Sequence, residues 1–527
     1  MLLAQILLLP LLVAAAPSTP LSRLLLTPET YGFDQFSSAE RAQIDQLTSR
    51  VGSLDECQSA CALLSILNPG NVSIFGTAGY TPIPYWSVQQ SEVTPACRLD
   101  ATSATSISKL VKISKLTNCP FAVKGGGHVA FAGGSSIENG MLVNLAPLNQ
   151  VTLSKDRTTA SVGSGNTWYE VYNVLDGKNV SVVGGREAGV GVGGLTLGGG
   201  ISYFSGRYGW ACDNVKNYEL VLANGSIINV SPSSHPDMYF ALRGGSGSNF
   251  GIVTRFDFAA FEQGLMWGGS RAYSMAQNAS LIKSFYNFVN DAPTDKFAHN
   301  YIAFVYAGAA LGGYVGASGP VYGKPEANPP IFAELDAIPS LVDATSITNM
   351  STLAIELNQT AYQRQMFRDL SFKNGPGADV LMTKILDIFI EESQPLLQKN
   401  ISGFLPTLAL QPISLNIIEQ MQKNGGNALG ITTDDGPLVI QNMDWGWDNE
   451  ADDAVVLGAM KRFQRRCNET ATAMGLGSRY VYLNYAGLDE PVYAGYGEEN
   501  LAKLKDVKQK YDPENLFGRL WPGYFKL

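Results

Sequence analysis

Only three histidines occur in the 527 residues, and one of them, His128, closes the run Lys124-Gly125-Gly126-Gly127-His128 directly after an apolar stretch. An imidazole set against a glycine turn can donate to a ligand or attack an electrophilic carbon. Two more glycine-dense runs follow, GGREAGVGVGGLTLGGG from Gly184 to Gly200 and RGGSGSNFG from Arg243 to Gly251. Glycine lets the backbone approach a ligand closely, and successive amides in such turns form an anion nest. A pyrophosphate is the natural occupant. Gly189, Gly191 and Gly194 match G-x-G-x-x-G. That fingerprint should open a helix, and the following LTLGGGISYF carries glycines that break one, so a Rossmann site is not expected.

The elements that must position these runs can be read from periodicity. A βαβ pattern precedes the first run: strand 97–101, helix 103–116 capped by Ser103 or Thr105, strand 120–126. Short strands follow at 141–145, 159–165 and 181–185. Residues 218–230 hold Asn224-Gly225 between apolar runs, which predicts a type I′ hairpin; another strand covers 251–258. One amphipathic helix is expected over 39–67. Past residue 262 Tyr and Phe become frequent and longer helical patterns appear, such as 279–289 and 380–397. The tail returns to a strand at 479–486 and a helix at 498–511, with Asn515 ending a helix. The expected organisation is a leader (1–16), an N-terminal segment (17–92), a glycine-rich domain (93–263), a second domain (264–475) and a returning segment (476–527).

Composition narrows the class. Glycine totals 55 without a collagen period, 45% of residues are hydrophobic, and the net charge is -9. Such a chain buries a core, and its acidic balance argues against a nucleic-acid partner. The opening MLLAQILLLPLLVAAA is too short to span a bilayer and ends in small residues, so a cleaved signal peptide, secretion and no membrane anchoring are expected. Sequons at Asn71, Asn179, Asn224, Asn229, Asn278, Asn349, Asn358, Asn400 and Asn468 agree, and N-linked glycans are expected. Cys57, Cys61, Cys97 and Cys119 form an N-terminal cluster. Cys57 and Cys61 lie one helical turn apart, so each should pair with Cys97 or Cys119, in either assignment. Their irregular spacing gives no zinc pattern, and no metal is expected. No G-x-S-x-G serine motif appears.

Taken together, KGGGH, GVGVGGLTLGGGISYFSGRYGWACDNV, LRGGSGSNFGIVT and YLNYA…YGEENLAKLKDVKQKYDPENLF resemble the berberine bridge enzyme-like flavoprotein oxidases of the vanillyl alcohol oxidase/p-cresol methylhydroxylase superfamily. The likeness covers roughly residues 90–265 and 475–520. It implies an α+β fold: a two-part PCMH-type FAD-binding domain and an α+β substrate domain with an antiparallel sheet. It further implies that Gly125, Gly126 and Gly127 bind the FAD diphosphate and that His128 bonds covalently to the flavin. Gly193, Gly194, Gly198, Gly199 and Gly200 line the flavin, Asp213 and Asn214 lie at its rim, and Gly251, Ile252 and Val253 meet the adenine side. Some members carry a second flavin bond from a cysteine just before VGVGG; Arg186-Glu187-Ala188 stands there in this sequence, so a single attachment is expected. Val190 aligns with an oxygen-gate position, which favours O₂ as acceptor, and Lys124 is expected to tune the flavin.

The implied reaction moves hydride from a substrate carbon while a base takes a proton. The resemblance puts a Tyr or Asn of the 479–486 strand beside the flavin. Tyr482 and Asn484 share one face by the period-2 rule and Tyr485 takes the other. An acidic base from 264–475 has no position assigned by the sequence. His299 is a candidate pocket residue, and His235 has no role. The expected function is a secreted FAD-dependent oxidase of an alcohol, amine or secondary-metabolite scaffold, releasing H₂O₂. A carbohydrate oxidase and a flavin-binding protein without turnover are the alternatives.

Overall fold

The computed structural model describes residues 37–42, 55–308, 313–357 and 363–527. The expected leader, Asn358 and part of the 39–67 segment lie outside the described residues. A helix runs over Glu56–Leu67, opened by Asp55, whose side chain accepts from the Gln58 N–H. That N-cap begins a new helix at 56, so 39–67 is not one continuous helix.

The first sheet has four strands in the order Val72–Ile74, Cys97–Asp100, Met141–Asn144, Phe121–Lys124. Its last three strands are parallel. The βαβ unit is present, with Ser103 rather than Thr105 capping helix Ala104–Thr117. Its two strands are separated by Met141–Asn144, which inserts between them. Cys57–Cys119 and Cys61–Cys97 disulfides staple the Glu56–Leu67 helix to this sheet, within the two pairings the spacing allowed.

The second sheet is antiparallel, ordered Val151–Leu153, Thr159–Gly163, Ile252–Glu262, Val215–Val221, Ile227–Val230, with Val180–Val182 also paired to Ile252–Glu262. The hairpin at Asn224-Gly225 forms, but only Gly225 takes positive φ (+79°). Leu222 N–H donates to Ser226 O and Gly225 N–H to Leu222 O. This is the three-residue type I loop with a bulged glycine, not the two-residue I′ turn.

The chain between 264 and 475 builds a seven-stranded antiparallel sheet. Its order is Val342–Asp343, Arg271–Ser274, Tyr314–Ser318, Ile302–Tyr306, Leu405–Ile413, Leu438–Trp447, Arg364–Lys373. Helices Asn278–Asp291, Ala378–Gln398 and Asp453–Ala473 cover one face. Leu408, Leu410, Met443 and Trp445 point into that core, with Phe285, Phe389 and Phe463. By strand alternation, Thr407, Ala409, Gln411, Asn442 and Asp444 point the other way, towards the glycine runs. The fold is α+β.

The segment 479–486 departs from expectation. It is extended without sheet partners and closes in a single 3₁₀ turn, Leu483–Tyr485. Tyr482 N–H donates instead to the buried Asp369 Oδ2 (2.7 Å), which anchors the segment to the seven-stranded sheet. Period-2 alternation therefore fails here, and the Tyr482 and Tyr485 rings meet edge to face at 4.9 Å. Asn515 opens helix Leu516–Leu520 rather than ending one.

Candidate active site

A cavity of about 330 Å³ lies between the glycine runs and the open face of the seven-stranded sheet. One wall is backbone-rich: Gly125 to His128, Val190, Gly191, Gly193 and Gly194, Ser246 to Ser248, and Gly251 to Val253. The other carries side chains of Phe367, Thr407, Gln411, Asn442 and Asp444. Tyr482, Asn484 and Tyr485 close one end, and Trp521 and Tyr524 of the C-terminal segment complete the enclosure.

The glycines divide by task. A Cβ on Gly126 would stand 2.4 Å from Gly191 N, and one on Gly191 would stand 2.3 Å from Gly126 N. These two backbones cross in direct contact, which ties the first run to the second. A Cβ on Gly194 would meet no atom within 4 Å and would project into the cavity. Gly193 and Gly125 have nearly as much room. Gly198, Gly199 and Gly200 are not on the wall. A Cβ on each would strike Asn484, Trp210 and Ala211 respectively, so they let the chain pack behind the cavity. A six-residue helix, Val192–Leu197, does open within the G-x-G-x-x-G match, with Gly191 as its N-cap, and it stops at Gly198, the first of the helix-breaking glycines.

His128 lies on the wall with its ring stacked on Trp86, centroids 4.3 Å apart at 11°. Its Nε2 is 2.9 Å from Glu187 Oε2, although neither buried atom has a hydrogen-bond partner in good alignment. Among the described residues Nδ1 has no hydrogen-bond partner. Lys124 is buried behind the glycine turn, its Nζ 5.2 Å above the Tyr85 ring. Burial pulls its ammonium down to about 8, with Arg98 adding repulsion. Asp213 and Asn214 also lie off the wall. Asp213 accepts from Trp210 N–H and Asn427, and Asn214 exchanges hydrogen bonds with Tyr208, Trp210 and Lys423. They brace the loop.

At the closed end, Tyr482 OH accepts from Gly200 N–H (3.1 Å) and from Asn484 Nδ2 (2.9 Å). Asn484 Nδ2 also donates to Leu195 O (3.0 Å). Both side chains thus hold the glycine loop, and burial pushes the Tyr482 phenol up. Tyr485 is placed differently. Its hydroxyl donates to Gln411 Oε1 (3.3 Å) and accepts from Arg186 Nη2 (3.2 Å). Of the three, Tyr485 is the one whose side chain meets Arg186 and the sheet-face residue Gln411.

Arg186, marked in the sequence only by the cysteine it replaces, is a principal cavity residue. Nη1 lies 3.2 Å from His299 Nε2, Nη2 also donates to Gln411, and the guanidinium covers the Tyr301 ring at 5.5 Å. His299 is buried behind it rather than on the wall, and burial, then Arg186, keeps its imidazole well below the ordinary range. His235 sits remote, its Nδ1 3.1 Å from Tyr511 OH. Sequence reasoning missed Asp444, Asn442, Gln411 and Thr407. Their only signal is alternation along two strands in the divergent half.

The cavity fits an elongated flavin dinucleotide. The backbone wall supplies amides where a Cβ would intrude, and Ser135 Oγ on the wall is buried without a partner. A family model described as FAD binding domain matches residues 95–231, and one described as Berberine and berberine like matches 481–519. FAD-dependent monooxygenase tpcD of Cochliobolus heterostrophus is 38% identical over 514 residues, covering 93% of this chain and 98% of that protein. Berberine bridge enzyme from Eschscholzia californica superposes with a TM-score of 0.70 at 16% identity, over 88% of this chain and 100% of that one. Glucooligosaccharide oxidase from Acremonium strictum, a structure described with 6-S-cysteinyl, 8α-N1-histidyl FAD, gives 0.64 at 20% identity, over 84% and 94%.

Proposed function

Because this chain belongs to the berberine bridge enzyme-like family of FAD-dependent oxidoreductases, we propose a finer activity for it. It oxidises an alcohol, amine or secondary-metabolite scaffold and passes the electrons to O₂, releasing H₂O₂, as a secreted protein carrying FAD on His128 alone. The observation that carries this reading is the single cavity joining the glycine wall to Tyr485, Gln411, Arg186 and Asp444.

When bound, FAD supplies the two-electron acceptor. Gly125 to Gly127 and Gly251 to Val253 would hold it along the backbone wall. The residues opposite must orient the substrate and take a proton from its O–H or N–H. Asp444 offers a carboxylate on the sheet face to take that proton, and Tyr485, held by Gln411 and Arg186, is within the cavity to relay it, giving up its own hydroxyl proton as it accepts the substrate's. Phe367, Tyr301 and Leu357 exclude water from the same space. Attachment through His128 is supported by its open Nδ1 and by Trp86 and Glu187, which fix the ring. Attachment at one point only is supported by Arg186-Glu187-Ala188 standing where a cysteine would be needed. Secretion is supported by the two disulfides and by the exposure of Asn179, Asn224, Asn229, Asn400 and Asn468.

The deciding experiment measures O₂ uptake and H₂O₂ release together over a panel of alcohols, amines, sugars and aromatic metabolites. Equal amounts of both are expected. Uptake without matching H₂O₂, with labelled oxygen entering the product, would replace the oxidase reading with the monooxygenase activity named for the fungal relative. Turnover confined to sugars would replace the substrate class.

A further inference from the structure

Arg186 stands on the cavity wall with no carboxylate to neutralise it. Its partners are Gln411, the Tyr485 hydroxyl, His299 Nε2 and the Tyr301 ring face. No Asp or Glu oxygen of the described residues forms an ion pair with it, whereas buried Arg98, Arg271, Arg364 and Arg368 each have one or more, and buried Arg243, which has none, is met by the backbone carbonyls of Lys423, Asn424 and Gly426. Glu187, its chain neighbour, is turned to His128 instead. His299 cannot share the charge, because burial and Arg186 itself keep it neutral. A guanidinium is not deprotonated in proteins, so the cavity holds a permanent positive charge at Arg186, alongside the carboxylates of Glu187 and Asp444 that also line it. Taking a charge out of water is costly unless an opposite charge meets it.

We propose that Arg186 is a substrate-recognition residue that selects aromatic substrates bearing an ionised oxygen, a phenolate or a carboxylate. The cavity supplies the other half of that recognition. Tyr301, Phe367 and Tyr485 offer ring faces and edges for a flat apolar body, and Gln411 and the Tyr485 hydroxyl are the polar groups that fix the anion beside the guanidinium. A neutral sugar or alcohol would leave the guanidinium buried against ligand with only neutral partners. The proposal rests on the oxidase reading for the chemistry after binding, and binding itself can be measured apart from turnover.

The test is calorimetric titration of the FAD-loaded enzyme with benzoate and with 4-nitrophenolate, and with benzamide and nitrobenzene as uncharged counterparts. The anions are expected to bind at least ~30-fold more tightly than the neutral pair, the discrimination that about 2 kcal/mol of a desolvated charge pairing gives. Arg186→Met should erase that preference, and Arg186→Lys should restore part of it, with FAD content and melting temperature checked in both. A preference for benzoate alone assigns a carboxylate, and one for 4-nitrophenolate alone a phenolate. Equal binding of charged and neutral probes to the wild type overturns the proposal. So does an Arg186→Met enzyme that keeps the preference, or one in which only the flavin reduction potential moves, since the charge would then serve the cofactor. Either failure leaves O₂ uptake and H₂O₂ release free to stand or fall separately.

Discussion

The backbones of Gly126 and Gly191 cross in contact, and a methyl group on either would overlap the amide nitrogen of the other. Gly194, three residues on, faces open cavity. The two kinds of glycine should answer substitution differently. Gly126→Ala forces backbone apart and should cost ~1–3 kcal/mol or more, read as a lower melting temperature. Gly194→Leu should leave the melting temperature of the apoprotein within a few degrees and lower the flavin-to-protein absorbance ratio. Full FAD loading of Gly194→Leu would remove the cofactor from that wall.

His128 is the expected tether. Wild-type protein on a denaturing gel should keep its flavin fluorescence, and His128→Ala should lose it while retaining its fold by circular dichroism. Glu187→Gln keeps the ring stacked on Trp86 but removes the charge 2.9 Å from Nε2. Its tethered fraction should fall without reaching zero. Free FAD in the supernatant of denatured wild type would sink the assignment.

Tyr485 and Tyr482 are near neighbours with different duties. Tyr485→Phe should lower kcat by roughly 10²-fold, the lower end for loss of a proton-transfer group, with a smaller loss of melting temperature than Tyr482→Phe because Arg186 and Gln411 keep each other as partners. Tyr482→Phe strips an acceptor from Gly200 N–H and Asn484 and should cost about 1–3 kcal/mol of stability, with a smaller effect on turnover. If stability follows Tyr485 and rate follows Tyr482, their roles are exchanged.

Lys124 gives a pH signature. Burial depresses its ammonium from 10.5 to about 8, so the folded protein gives up this proton before the unfolded chain does. Below about 8 both states are protonated and folding carries the full penalty. Between about 8 and 10.5 the unfolded state alone holds the proton, so this group's contribution makes stability rise with pH across that window, by roughly 3 kcal/mol in all. Subtracting the melting-temperature profile of Lys124→Met should isolate a rise of that sign. A difference profile flat from about pH 8 to 10 would show that a counter-charge meets Lys124 in the working protein.

Glycine runs and local periodicity are short-range signals, and the parts of the fold that depend on them were legible in sequence. The helix cap (Ser103, one of two candidates), the presence of a hairpin at Asn224-Gly225 though not its turn type, and the helical patterns at 279–289, 380–397 and 498–511 depend on neighbours along the chain. What was illegible depends on partners far away. Residues 479–486 look like a strand, yet Asp369 takes the amide of Tyr482 and no sheet edge is offered. Asp213 and Asn214 look like ligand groups until Lys423 and Asn427 arrive beside them. Gln411 and Asp444 gain meaning only when their strands are paired side by side with the open face turned to the glycines. Arg186 could be noticed only as a missing cysteine.

The C-terminal residues that close the cavity are held by distant contacts. Ser248 Oγ and Asn249 Nδ2 donate to Phe525 O, Leu527 N–H donates to Asn249 Oδ1, and Gly523 abuts the Gly133 carbonyl. The enclosure is thus a layer separate from the glycine wall and tied to it by these few bonds, so loosening them would open the cavity to solvent without disturbing either sheet.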